Sequence, residues 1–324
     1  MDIVDRVLSG EKLLVAPLVA YPSLKLINGK ANECLGEPEL HMKLMKASFE
    51  EFGLDIVFPL MDLTVEAESV GVKVTMKENS APAVVEHLKL ESSADLEGLE
   101  VPNPKTSGRL PLMIRTAELM QELRRNTFVG FYVSGPFTLA GQLVGFGRLM
   151  RMVRKKPDLL DEIMSFSTDV ILSYARELAP ITELLVLAEP MSSSIPNEDF
   201  RRFSKPYISR IIEKVGSTWA LHICGRANHL LLDMVETGSH ILSFDDNIDL
   251  RVAAEKVPED VILFGNYSPM KLATRPQGVV ETEVGDILKR MSDFRNLIVS
   301  TGCDVPYFAP LENIHAFMKA ARSF

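Results

Sequence analysis

Residues 218–246, TWALHICGRANHLLLDMVETGSHILSFDD, decide the fold. Two short apolar runs, TWALHIC (218–224) and HILSFDD (240–246), flank an interval long enough for a helix. Each run is continuously apolar instead of alternating, the pattern of a strand buried on both faces, and a helix between two such strands makes them parallel. Working outward, the same kind of run recurs as LLVAPLVA (13–20), LDIVFPL (54–60), TFVGFYVS (127–134), ELLVLAE (183–189), VILFGNY (261–267) and LIVSTGC (297–303). Eight such runs in 324 residues fit a (β/α)8 TIM barrel better than an open doubly wound sheet.

Helices with recognisable edges fill the intervals. Pro157-Asp158 opens one, and Pro310 precedes LENIHAFMKAARSF, whose Leu311, Ile314, Phe317 and Met318 repeat at helical spacing. The stretch from Gly71 to Pro111 breaks the alternation, with VKVTMKENSAPAVVEHLKL and the turn-rich VPNPKTSG. It predicts an excursion carrying a small strand pair between the second and third barrel strands. No linker interrupts the pattern, so residues 1–324 read as a single domain.

With 46% hydrophobic and 24% charged residues, the chain can bury a full core. Its formal charge of −9 argues against a nucleic-acid partner, whose binding needs clustered Lys and Arg. Cys34, Cys224 and Cys303 are too few for a disulfide framework, which implies a reducing cytoplasm. The first apolar run is too short to cross a membrane.

A parallel barrel works at the C-terminal ends of its strands, and polar residues gather there. His222 and Cys224 close the fifth run, Asp245 and Asp246 the sixth, Asn266 the seventh and Cys303 the eighth. Two residues apart on a strand, His222 and Cys224 face the same side. With Cys303 they form the nitrogen and thiolate set that zinc prefers when one position stays open for substrate. Asp245 or Asp246 is a candidate fourth ligand or partner to one, and with Asn266 a candidate cofactor contact. Asp62 and Glu66, after the second run, are candidates to orient a substrate or take a proton. Glu189 and Pro190 read as a structural turn.

With those residues in place, the chain resembles the uroporphyrinogen decarboxylase superfamily over nearly its whole length. Within it, the likeness is to the zinc-dependent methylcobalamin:coenzyme M methyltransferases. The shared landmarks are PLMDLTVEAESVGV (59–72), SGPFTLAGQLVG (134–145), FGNYSP (264–269) and GCDVPYFAPLENIHAFMKAAR (302–322). His222, Cys224 and Cys303 match the methyltransferase branch's H-x-C followed by a late TGC. The decarboxylase branch looks for an arginine-rich N-terminal motif and a late Gly-His-Gly, where this chain has APLVAYPSLKL and TGCD. The resemblance therefore implies methyl transfer from a methylated corrinoid, carried by a partner protein, to a thiol such as coenzyme M. A folate-type pterin acceptor and porphyrinogen decarboxylation are the alternatives. Lys25, Arg109 and Arg226 are candidate partners for an acceptor's sulfonate, the basic stretch Arg148 to Lys156 is a candidate face for an acidic carrier, and a homodimer is compatible with the sequence.

Overall fold

The computed structural model describes residues 2–323. Its ten strands are β1 (Leu14–Val15), β2 (Ile56–Val57), β3 (Lys73–Thr75), β4 (Ala83–Glu86), β5 (Phe128–Ser134), β6 (Leu184–Ala188), β7 (Trp219–Ile223), β8 (Ile241–Phe244), β9 (Ile262–Tyr267) and β10 (Leu297–Thr301). Eight of them coincide with the eight apolar runs and form one parallel sheet in the order β1-β10-β9-β8-β7-β6-β5-β2. This is the (β/α)8 barrel that the runs predicted.

The seam between β1 and β2 closes through one residue. Asp55 donates its backbone N–H to the Val15 carbonyl at 3.0 Å, and its carboxylate accepts the Val15 N–H at 2.9 Å. Both seam strands are two residues long, and each meets a proline two positions on, Pro17 and Pro59. Proline has no N–H to extend a ladder, so a side chain finishes the closure.

Alternation sorts the strand residues into two cores. Leu185, Leu187, Trp219, Leu221, Ile223 and Leu242 face outward into the helix layer. Ile56, Phe58, Tyr132, Val186, Ala220, Ile262, Phe264 and Ile298 fill the barrel, and Ile3 and Val7 of the helix Ile3–Leu8 belong to the same cluster. His222 and Cys224 follow Ala220 in the inward register. Burial on both sides is why the runs look continuous in sequence.

The predicted excursion is present. β3 and β4 form an antiparallel pair, anchored where the Leu88 N–H donates to the Leu143 carbonyl at 2.7 Å and the His87 ring meets the Gln142 carbonyl at 2.8 Å. Among the described residues, no helix is long and apolar enough to cross a membrane.

Candidate active site at the barrel mouth

The ends of β7, β8 and β10 bring the soft donors together. His222 is 3% exposed, and its Nδ1 meets the Ser243 hydroxyl on the neighbouring strand at 2.9 Å. Its Nε2 is buried with no hydrogen-bond partner. Cys224 and Cys303 are half-buried free thiols at adjoining strand ends. Cys303 holds the Cys224 thiol below its ordinary range. Cys224, together with burial, pushes Cys303 up to about 12.

Cys303 thus lies within the electrostatic reach of both other donors. Among the described residues, however, no three His, Cys, Asp or Glu side chains already converge as a metal-binding group. The donor chemistry nevertheless fits zinc: an imidazole nitrogen left open by its second-nitrogen partner, and two adjoining sulfurs.

Two backbone loops set the rim. The Asp245 carboxylate accepts the Gly225 N–H and the Asp246 N–H, both at 2.8 Å, which pins the turn just after Cys224. Asn266 donates to the Asp245 and Ile248 carbonyls at 3.0 and 2.6 Å. A Cβ at Gly302 would lie 2.7 Å from the Asp246 nitrogen, so only glycine lets the loop bearing Cys303 press against that turn. Asp245 and Asn266 hold this rim in the structure, and Asp246 is exposed.

Across the mouth the carboxylates are saturated. The buried Asp62 accepts the Thr64 N–H at 2.8 Å and its hydroxyl at 2.6 Å, and its other oxygen pairs with Arg109 at 2.5 Å. Arg109 also bonds Glu68 at 2.7 Å. Glu66 accepts the Ser134 N–H at 2.7 Å and lies 3.0 Å from the Ser134 hydroxyl. That hydroxyl also reaches the Leu63 carbonyl at 2.8 Å. The single hydroxyl hydrogen of Ser134 is shared between the Leu63 carbonyl and the Glu66 carboxyl. Burial pushes Glu66 up to about 7.

Glu189, at the end of β6, is the turn residue expected. It caps the helix Pro136–Val144, accepting the Thr138 N–H at 2.8 Å and the Phe137 N–H at 3.2 Å. A Cβ at Gly135 would fall 1.7 Å from its carboxylate. Burial pushes Glu189 up to about 8.

A mostly apolar cavity of about 380 Å³ opens between Tyr21, the β3–β4 turn at Asn79–Ala81 and the segment Asp304–Phe308, directly after Cys303. A larger one, about 500 Å³, lies outside the rim between Asp246 and Arg290, away from the sulfurs. Of the three candidate sulfonate partners, Arg109 is committed to Asp62 and Glu68, and Lys25 donates to the Ala309 carbonyl at 2.7 Å. Arg226 is exposed and forms no ion pair among the described residues. In the basic stretch, Arg154 is tied to Asp199 at 2.7 Å.

Two contributors went unread in the sequence. Ser243 is the polar break in the run ILSF, placed opposite His222 by register. Tyr132 brings a hydroxyl into the apolar run FVGFYVS, a break that marked it for attention.

Residues 16–324 match the uroporphyrinogen decarboxylase (URO-D) family. The chain belongs to that family. Among curated relatives, the methylcobamide:CoM methyltransferase MtaA of Methanosarcina barkeri is 29% identical over 291 residues, covering 87% of this chain and 84% of the relative. The methylated-thiol–coenzyme M methyltransferase of Methanosarcina mazei is 26% identical, covering 86% and 75%. A uroporphyrinogen decarboxylase of Synechococcus is 23% identical, covering 94% and 86%. A solved methyltransferase structure from Methanosarcina mazei superposes with a TM-score of 0.90 at 26% identity, over 98% of this chain and 96% of that one. The relatives are enzymes of corrinoid methyl transfer to coenzyme M, with decarboxylases alongside.

Proposed function

We propose that this protein transfers a methyl group from a methylated corrinoid, presented by a separate corrinoid protein, to a small thiol such as coenzyme M. The observation that carries the reading is the unpartnered His222 Nε2 at the barrel end that also bears the free thiols of Cys224 and Cys303. His222, Cys224 and Cys303 would hold a zinc ion, which when bound supplies a Lewis acid that favours the thiolate form of the acceptor.

The chain's own residues prepare that exchange. Ser243 pairs with Nδ1 of His222, which fixes the ring and turns Nε2 towards the site; when Nδ1 carries the proton, Nε2 offers its lone pair to a metal. Asp245 and Asn266 hold the turn that carries Cys224. Asp246 and Glu66 have no assigned step; Glu66 and Asp62 shape the opposite wall. The cavity lined by Tyr21 and by Asp304 to Phe308, the segment that follows Cys303 in the chain, is the space we assign to a small acceptor. A carbon–sulfur bond forms as the cobalt–carbon bond breaks, and its electron pair stays with cobalt. The decarboxylase alternative would employ Asp62, which is here committed to Arg109 and Thr64. We place the enzyme in the cytoplasm, as one barrel domain.

The test is metal content with methyl transfer from methylcobalamin to coenzyme M, a second thiol and tetrahydrofolate. About one zinc per chain and transfer to thiols only are expected. Full activity in metal-free protein, or transfer to tetrahydrofolate alone, would overturn the reading.

A further inference from the structure

Inside the barrel, one polar group has no use in the fold. Tyr132 stands on β5 in the inward register and is 5% exposed. Its ring stacks on Phe58 at 5.3 Å, and Phe58 stacks on Phe264 at 5.9 Å, so the ring is held from the side and cannot swing out to water. Its hydroxyl is buried and has no hydrogen-bond partner. By register Tyr132 pairs with Val186 and Val186 with Ala220, two residues before His222 on the same inward face, so Tyr132 stands one layer below the soft donors in the barrel.

A buried hydroxyl without a partner costs about 1–3 kcal/mol, and phenylalanine would fill the same stack at no such cost. Tyr21, its neighbour, has spent its own proton on the Met61 carbonyl at 2.8 Å. Tyr132 therefore keeps an undonated proton inside the barrel, one layer below His222.

We propose that the Tyr132 hydroxyl donates a hydrogen bond to the sulfur of the bound thiol acceptor, positioning it beside Cys303 and His222. This rests on the thiol-acceptor reading above. A phenol ordinarily keeps its proton at neutral pH and so serves as a donor to an anionic sulfur. The bond would hold the sulfur inside the barrel, with the remainder of the acceptor extending outward towards the mouth. Such a donor stabilises the thiolate and narrows its orientation before the methyl group arrives.

The experiment compares wild type with Tyr132→Phe, which keeps the stacked ring and removes only the hydroxyl. Coenzyme M binding to the zinc-loaded protein is followed by calorimetry, with ethanesulfonate as the probe that lacks the sulfur. Thermal unfolding is measured without acceptor. In Tyr132→Phe, binding of coenzyme M should weaken by at least about tenfold, the loss expected for a hydrogen bond to a charged group. Any ethanesulfonate binding should be the same in both proteins, and the melting temperature without acceptor should be unchanged or higher. Equal coenzyme M affinity in the two proteins would overturn the proposal while leaving the methyltransferase reading intact. So would an equal loss for ethanesulfonate, which would move the contact to the sulfonate, or a marked fall in melting temperature, which would assign the hydroxyl to the fold. Wild type that takes up zinc but binds no thiol would overturn both.

Discussion

The two sides of the barrel mouth are built from polar residues of opposite condition. On the side of β2, β5 and β6, every carboxylate is occupied: Asp62 by Arg109 and Thr64, Glu66 by Ser134, Glu189 by the start of a helix. On the side of β7 and β10, His222 has a bare nitrogen, and Cys224 and Cys303 are free thiols. Buried polar groups that are fully paired hold a structure together. Those left open mark where it meets something else. We therefore propose the saturated side as the frame and the open side as the place for chemistry.

The sharpest way to break that contrast is to remove a sulfur. Cys224→Ala and Cys303→Ala should each lower zinc content and methyl transfer by more than about a hundredfold, past the range seen when only a ligand's hydrogen-bond partner is lost. Their unfolding transitions should stay near wild type, because this face of a barrel is largely separable from its core. Variants that remain metallated and active would transfer the chemistry to the other side.

Asp62→Ala should do the reverse. Removing one member of a buried pair leaves Arg109 uncompensated, so denaturant unfolding should register a loss of about 4 kcal/mol. Zinc content of the folded fraction should be retained. An Asp62→Ala protein of native stability without activity would make Asp62 a participant and the frame assignment false.

Glu66 gives the smallest effect and fixes its sign. An acid whose pKa rises on folding keeps its proton in the native state over a range where the unfolded chain has lost it. Its contribution is complete below about 4.5 and drains as pH climbs towards 7. Stability should therefore fall over that window, and Glu66→Gln should remove about 3 kcal/mol of the decline, the order set by its shift. Glu189 leaves a residual slope extending towards pH 8. An unchanged pH profile in Glu66→Gln would mean that Glu66 is ionised when folded.

Much of this was legible beforehand, for reasons specific to the residues. The eight runs became eight strands because burial on both faces demands apolar residues at every position, a pattern visible without contacts. His222 and Cys224 lie on one face because a period of two puts them there. Cys303 could be joined to them only by assuming that the eighth strand returns to the same rim, and the barrel supplies that return.

What only the tertiary structure decided was which polar groups are spent. Asp62, Arg109 and Glu66 looked as available as His222 in sequence, yet their partners come from separate segments: Arg109 lies 47 residues from Asp62, and Ser134 lies 68 from Glu66. The free hydroxyl of Tyr132 is equally invisible, since it depends on what Asp304, Tyr21 and the floor of the barrel leave unfilled. Periodicity is a local property of the chain and determined the barrel by itself. Hydrogen-bond saturation is a property of distant segments brought together, so only the folded arrangement separates frame from site.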